Sequence, residues 1–169
     1  MSRKLPSAYA ELLRGLIGLN LVRVRRQFRA EEHASLPGDV ADQQADGATE
    51  LAFDHDAIVH LTPHTEMMSV LVGAGEIPIN ATLLLRDVSR NEFWCGRVGK
   101  KVSDILIWKM SFEQRGSQPK LGCSEFGIEF RLEGGEGFFI KYVSDSDHVD
   151  SLIVSANLDE MGGHCSSIA

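Results

Sequence analysis

The chain has 169 residues, 43% of them hydrophobic and 24% charged, with a formal net charge of −7. This length and composition suit one compact domain with a real core and exclude a disordered chain. The acidity excludes general nucleic-acid binding, the apolar runs are too short to span a bilayer, and the start MSRKLPSAYAELLRG lacks the apolar segment of a signal peptide.

A cytoplasmic protein with no membrane and no nucleic acid among its partners is therefore expected. Cys95, Cys123 and Cys165 are odd in number and widely spaced, which argues against a disulfide framework. Charge is uneven along the chain. Residues 1–29 carry Arg3, Lys4, Arg14, Arg23, Arg25, Arg26 and Arg29 against Glu11, and the acids concentrate later. The expected cause of RVRRQFR is a solvated strand edge.

In chain order, Ser7 is expected to cap a short helix whose apolar face is Tyr9, Leu12, Leu13 and Leu16. Gly15 and Gly18 end it. LNLVRVRRQF then reads as a strand, with Val22 and Val24 alternating against Arg23 and Arg25. Residues 31–48 read as a long polar loop. TELAFDHDAIVHLTP reads as a hairpin with Asp54, His55 and Asp56 at its tip, and MMSVLVGAG as a strand closed by glycines.

Ser89 and Glu92 have capping-box spacing, with Val88 and Phe93 as the hydrophobic staple, so a helical turn is expected from Ser89 to Gly96 or Gly99. VSDILIWKMSF reads as a strand placing Trp108, Met110 and Phe112 on one face. EQRGSQPKLG is a polar loop. SEFGIEFRLEGGEGFFIKYV reads as a hairpin, alternating at Phe126, Ile128, Phe130 and Leu132 before a Gly134-Gly135 turn. SDSDHVDSLIVSAN gives an acidic loop and a last strand, and LDEMGGHCSSIA a tail able to fray.

ELLRGLIGLNLVRV at 11–24 is echoed by EFWCGRVGKKVSDI at 92–105. Glu11, Gly15 and Gly18 answer Glu92, Gly96 and Gly99. Leu12, Leu13, Ile17, Leu21 and Val24 answer Phe93, Trp94, Val98, Val102 and Ile105. MMSVLV likewise matches VDSLIV, and both halves run polar loop, hairpin, strand. The expected fold is α+β: two duplicated helix-plus-antiparallel-β units related by a pseudo-twofold, mostly β with few short helices. The units are 1–80 and 81–169, the second including the tail, and together they form one compact domain.

Chemistry is sparse. His60 and His64 have i,i+4 spacing, but Pro63 and the β-rich AIVHLT forbid the helix that a zinc pair would need. His164-Cys165 lies in the expected tail. Asp145, Asp147, His148 and Asp150 lack the glycine and closing glutamate of a calcium loop. The glycine runs GAGE and GGEG are not followed by the Gly-Lys-Ser/Thr of a phosphate loop, and no G-x-S-x-G occurs. Trp94 and Trp108 read as core. No catalytic residue, metal or cofactor is expected.

In this general character the chain resembles bacterial toxin-immunity proteins of polymorphic or contact-dependent toxin systems. The resemblance rests on the paired unit at Glu11–Val24 and Glu92–Ile105, the hairpin GIEFRLEGGEGFFIKY and the acidic loop at 144–150. It implies a protein that binds a cognate toxin with a basic active-site surface and occludes that site. No contact residues follow from the resemblance. Charge and exposure alone suggest Asp54, Asp56, Asp145, Asp147 and Asp150 as toxin-binding residues. An acidic secretion chaperone or adaptor holding an extended client segment is the alternative, and a metal-dependent enzyme built on His55, His60 and His64 a third.

Overall fold

The computed structural model describes residues 5–29, 31, 44–45, 47–110, 125–144, 150–158 and 163–169. The strands are β1 (Leu21–Arg29), β2 (Gln44–Ala45), β3 (Thr49–Phe53), β4 (Ile58–His64), β5 (Ser69–Ala74), β6 (Leu83–Asp87), β7 (Val102–Lys109), β8 (Glu125–Leu132), β9 (Phe138–Val143), β10 (Ser151–Ser155) and β11 (His164–Ser167). Of the helices whose ends are described, α1 (Ala10–Arg14) and α2 (Glu92–Cys95) are short and precede β1 and β7, and 3₁₀ turns span Pro6–Tyr9 and Thr65–Met67. The chain is thus mostly β, in two antiparallel sheets. One has the order β5-β4-β3-β1-β6 and the other β11-β7-β8-β9-β10-β2.

The helices are short because glycines follow them closely. Gly18 (φ 90°) turns the chain from α1 toward β1, and Gly99 (φ 89°) turns it from α2 toward β7. Side chains other than glycine rarely adopt this conformation. The two junctions bond to each other. Gly18 N–H donates to Val102 O (2.8 Å) and Gly99 N–H to Leu21 O (2.6 Å). Leu21 N–H donates to Lys100 O and Val102 N–H to Leu19 O, both at 2.9 Å. Asn20 and Lys101 form an antiparallel bridge at the centre.

A single main core lies between the sheets. Val24, Leu51, Leu61 and Val72 from one meet Ile105, Ile128, Phe130 and Ile140 from the other. Strand alternation puts these residues on inward faces, and each such burial contributes about 1.5–3 kcal/mol. Leu13 of α1 and Trp94 of α2 are wholly buried in the same core. Trp94 meets Phe138 edge-on at 4.9 Å between ring centres, and Phe138 stacks on Phe130 at 5.0 Å. A smaller cluster joins Phe126 and Phe139, with Trp108 and Met110 against it.

Several local expectations need correction. RVRRQFR is not a solvated edge: β1 lies between β3 and β6, and Arg26 is fully buried with its guanidinium donating to Leu152 O (2.8 Å). Val22 does not share the buried face with Val24. The β1–β3 register breaks between Leu21 and Arg23, so Leu21 and Val24 both turn inward and Val22 is left exposed.

Ser7 is no helix cap. It lies inside the first 3₁₀ turn, and its N–H donates to Glu125 Oε2 (2.7 Å). The capping box at Ser89 does not form either. Asn91 precedes α2, and Ser89 Oγ instead accepts the N–H of Val24 (2.9 Å), a partner 65 residues away. The tail does not end in a frayed segment: β11 pairs with β7 from His164 to Ser167, and Ile168 is buried. β10 is therefore not the last strand. Strand β6 had no counterpart in the sequence reading. Phe112, Cys123 and the loop EQRGSQPKLG lie outside the described residues.

Gly99→Ala is expected to destabilise the protein by about 1–2 kcal/mol, because the added Cβ meets no neighbour and the cost is backbone strain alone. Gly96→Ala, at φ −83° and equally open, is expected to be neutral or slightly stabilising. Urea unfolding of the two variants side by side checks both.

Candidate functional site

The β3–β4 turn forms as expected, with His55 (φ 58°) and Asp56 (φ 57°) both left-handed at its tip. Asp56 is exposed. Asp54 is committed to structure. It accepts the side-chain amide of Asn20 and also the Asn20 backbone N–H (3.0 Å). Those two hydrogen bonds, the side-chain one foremost, hold its carboxyl below the ordinary carboxylate range. Asp54 thus ties the turn to the junction where α1 leads into β1.

Asp150 lies elsewhere. It precedes β10 with φ 52°, and its carboxylate accepts the hydroxyl of Tyr142. Burial first, and then Asp150, push the Tyr142 hydroxyl up to about 12, while contact with Thr65 opposes this. Thr65 follows the last residue of β4, whereas Asp56 precedes its first. Asp56 lies in the β3–β4 turn of one sheet, whereas Asp150 leads into β10 of the other. The structure therefore separates these acids. Asp145, Asp147 and His148 lie outside the described residues.

The sequence reading missed the buried acids. Glu50 and Glu129 each sit mid-strand on the outward face of their sheet, yet both are buried. Arg25 grips Glu50 with two bonds (2.8 and 2.7 Å), Arg23 adds a third (3.2 Å), and the N–H of Ile77 a fourth (2.9 Å). Burial alone would raise the Glu50 pKa. The hydrogen bonds from Arg25 and Ile77 and the nearby arginine charges outweigh it, so the net shift is downward. Glu129 accepts Trp108 Nε1 (2.9 Å) and Arg131 Nε (3.0 Å). The available signal was the facing of RVR by TELAF across a strand pair, which periodicity alone does not reveal.

Two adjoining clefts of about 340 and 500 Å³ share Glu136 and Ala156. Arg97 lines the larger cleft; it donates to Gly137 O (2.9 Å), to Phe93 O and to Glu136 (3.2 Å), and lies 3.9 Å from the Phe93 ring centre. Arg97 thereby joins α2 to the β8–β9 turn.

His60 lies on β4 with Nδ1 2.9 Å from Gly75 O, and its ring covers Gly73. His64 ends the same strand, so the two histidines do not share a helix face. Among the described residues no group of three or more His, Cys, Asp or Glu is placed to hold a metal ion. Cys95 and Cys165 are free thiols. No described helix is long and apolar enough to cross a membrane. Compared with protein families, with curated proteins and with solved structures, the chain matches none.

Glu50→Ala is expected to cost about 2 kcal/mol, less than for a wholly buried pair because Arg23 and Arg25 keep some water contact. Since the folded Glu50 pKa lies below its ordinary 4.5, its contribution is complete above that pH and is lost as pH falls through the lowered value. Denaturation at stepped pH should therefore show a flatter acid limb in the variant. Asp150→Asn should lower the Tyr142 pKa from about 12 toward 10, read by ultraviolet titration of tyrosinate.

Proposed function

We propose that the chain is two copies of one helix-plus-sheet unit, and that it works in the cytoplasm as an immunity protein occluding the active site of a toxin domain. The two-copy reading is supported by strand order. Leaving aside β2, which adds to the edge at β10, α1, β1, β3, β4, β5, β6 parallels α2, β7, β8, β9, β10, β11 in chain sequence, and β5-β4-β3-β1-β6 and β10-β9-β8-β7-β11 follow one path; β6 then belongs to the first copy, which ends after Asp87 rather than at residue 80. Local detail points the same way. The register breaks after Leu21 and after Val102, and left-handed Met68 and Asp150 precede β5 and β10. The junction bonds of Gly18 and Gly99 are reciprocal.

The inhibitor reading is carried by one observation: an exposed acid, Asp56, on a tip that is braced from below. Asp54 anchors the turn to Asn20, and Asn20 bridges to Lys101 of the other half. An acidic point on a rigid support suits a cationic active-site cleft, since preorganisation lowers the entropic cost of binding and charge speeds encounter. Asp145, Asp147 and Asp150 form a second acidic region in this reading. Its contribution is the smaller one at Asp150, whose carboxylate is already engaged by Tyr142.

The chain co-expressed with a toxic domain encoded beside it should restore host growth, and the purified pair should form a one-to-one complex. Asp56→Asn should slow association severalfold at low salt and weaken its salt dependence, with dissociation little changed. Stopped-flow mixing over a salt series measures both. A pair that never associates sinks the reading.

A further inference from the structure

Among the described strands, β6 exposes two neighbouring large apolar residues, Leu84 (46% exposed) and Leu85 (41%). β6 is an edge strand that pairs with β1 alone among the described residues. At the opposite edge of the same sheet, β5 packs against β8, β9 and the Pro6–Tyr9 turn. An open edge carrying leucines invites another strand. We infer that β6 is a dimerisation edge, on which the β6 of a second copy of this chain pairs antiparallel about a two-fold axis at Leu85.

The register follows from the backbone. Val88 donates its N–H to Val24 O (3.0 Å). Bonding directions alternate along an antiparallel ladder, so Leu84 and Arg86 direct their N–H and C=O groups to β1. Leu83, Leu85 and Asp87 direct theirs to the open edge, where the Leu83 N–H is already given to Asn80 O (3.2 Å). A symmetric partner must match open residues with open residues. The axis then falls on Leu84, Leu85 or Arg86. At Arg86 two guanidinium groups would face each other. At Leu84 the pairing would run into the turn that closes at Asn80–Leu83.

At Leu85 the whole strand pairs with itself. The two Leu85 residues exchange their N–H···O bonds, and each Asp87 N–H meets the Leu83 O of the other copy. Leu84 lies opposite Arg86, whose aliphatic stem covers it. Charge agrees with this register. Arg29 pairs with Leu83 across β1 and β6, so Asp87 of the second copy lies in the same cross-strand row, two strand spacings or about 10 Å from the exposed Arg29. A closed two-fold pairing of this kind is self-limiting, which suits an edge that would otherwise recruit strands without end.

The experiment is sedimentation velocity of the full chain up to about 1 mM, joined to residue-resolved hydrogen exchange at low and high concentration. Dimers should accumulate with concentration, and exchange at the amides of Leu85 and Asp87 should slow by about tenfold or more, with no comparable change at Leu158. Leu85→Lys, which puts like charges on the axis, should give monomers. Leu158→Lys, at a position equally exposed in another region, should leave dimers intact. Wild-type chain that stays monomeric throughout, or dimers that survive Leu85→Lys without protection at Leu85, overturns the inference. So does a monomeric chain that instead takes up a foreign extended peptide at β6.

Discussion

The reciprocal pairing of Gly18 and Gly99 across the helix–strand junctions holds the rest of the molecule in place. Each glycine turns the chain in a conformation that other residues resist, and each then gives its N–H to the first residue of the other half's leading strand. That exchange sets β1 and β7 beside one another at their starts. It also fixes where Leu13 and Trp94 enter the core, since each belongs to the helix just before its glycine. Sheets packed face to face need such a common origin, because twist would otherwise let them rotate over a slippery apolar layer.

Around this centre the charged residues act mostly as structure. Arg25 and Arg23 close on Glu50, Arg131 and Trp108 on Glu129, Arg97 on the β8–β9 turn, and Asp54 on Asn20. Burying a carboxylate mid-strand is costly unless all its lone pairs are met, and at Glu50 four donors meet them. These fixed pairs brace a surface that carries the Asp56 tip and the β6 edge, which pairs with β1 alone among the described residues. The proposed inhibitor role uses the first and the proposed dimer the second. The two lie on different parts of the same sheet, so one does not preclude the other.

Much of the fold was legible in the sequence wherever alternation and turn chemistry agreed. The hairpins at Asp54–Asp56 and Gly134–Gly135 and the strands β1, β5 and β7 follow from period-two patterns bounded by turn residues. Errors arose where a remote partner took over a local signal. Ser89 has capping spacing, yet its hydroxyl oxygen accepts the N–H of Val24 on β1. HCSS shows no periodicity, yet β7 had an open edge that it could fill. LLLRD carries no alternation because an edge strand outside the main core need not hide one face.

The sequence by itself determined the hairpins and the strands β1, β5 and β7, the short helices ended by glycine, and the echo between residues 11–24 and 92–105, all of which depend on patterns among neighbours a few residues apart. Only the tertiary structure decided that Arg26 is interior, that Glu50 and Glu129 are buried acids, and that Asp56 and Asp150 belong to different sheets. Those outcomes depend on which strand lies beside which. That choice is made by contacts between residues far apart in the chain, and periodicity carries no record of it.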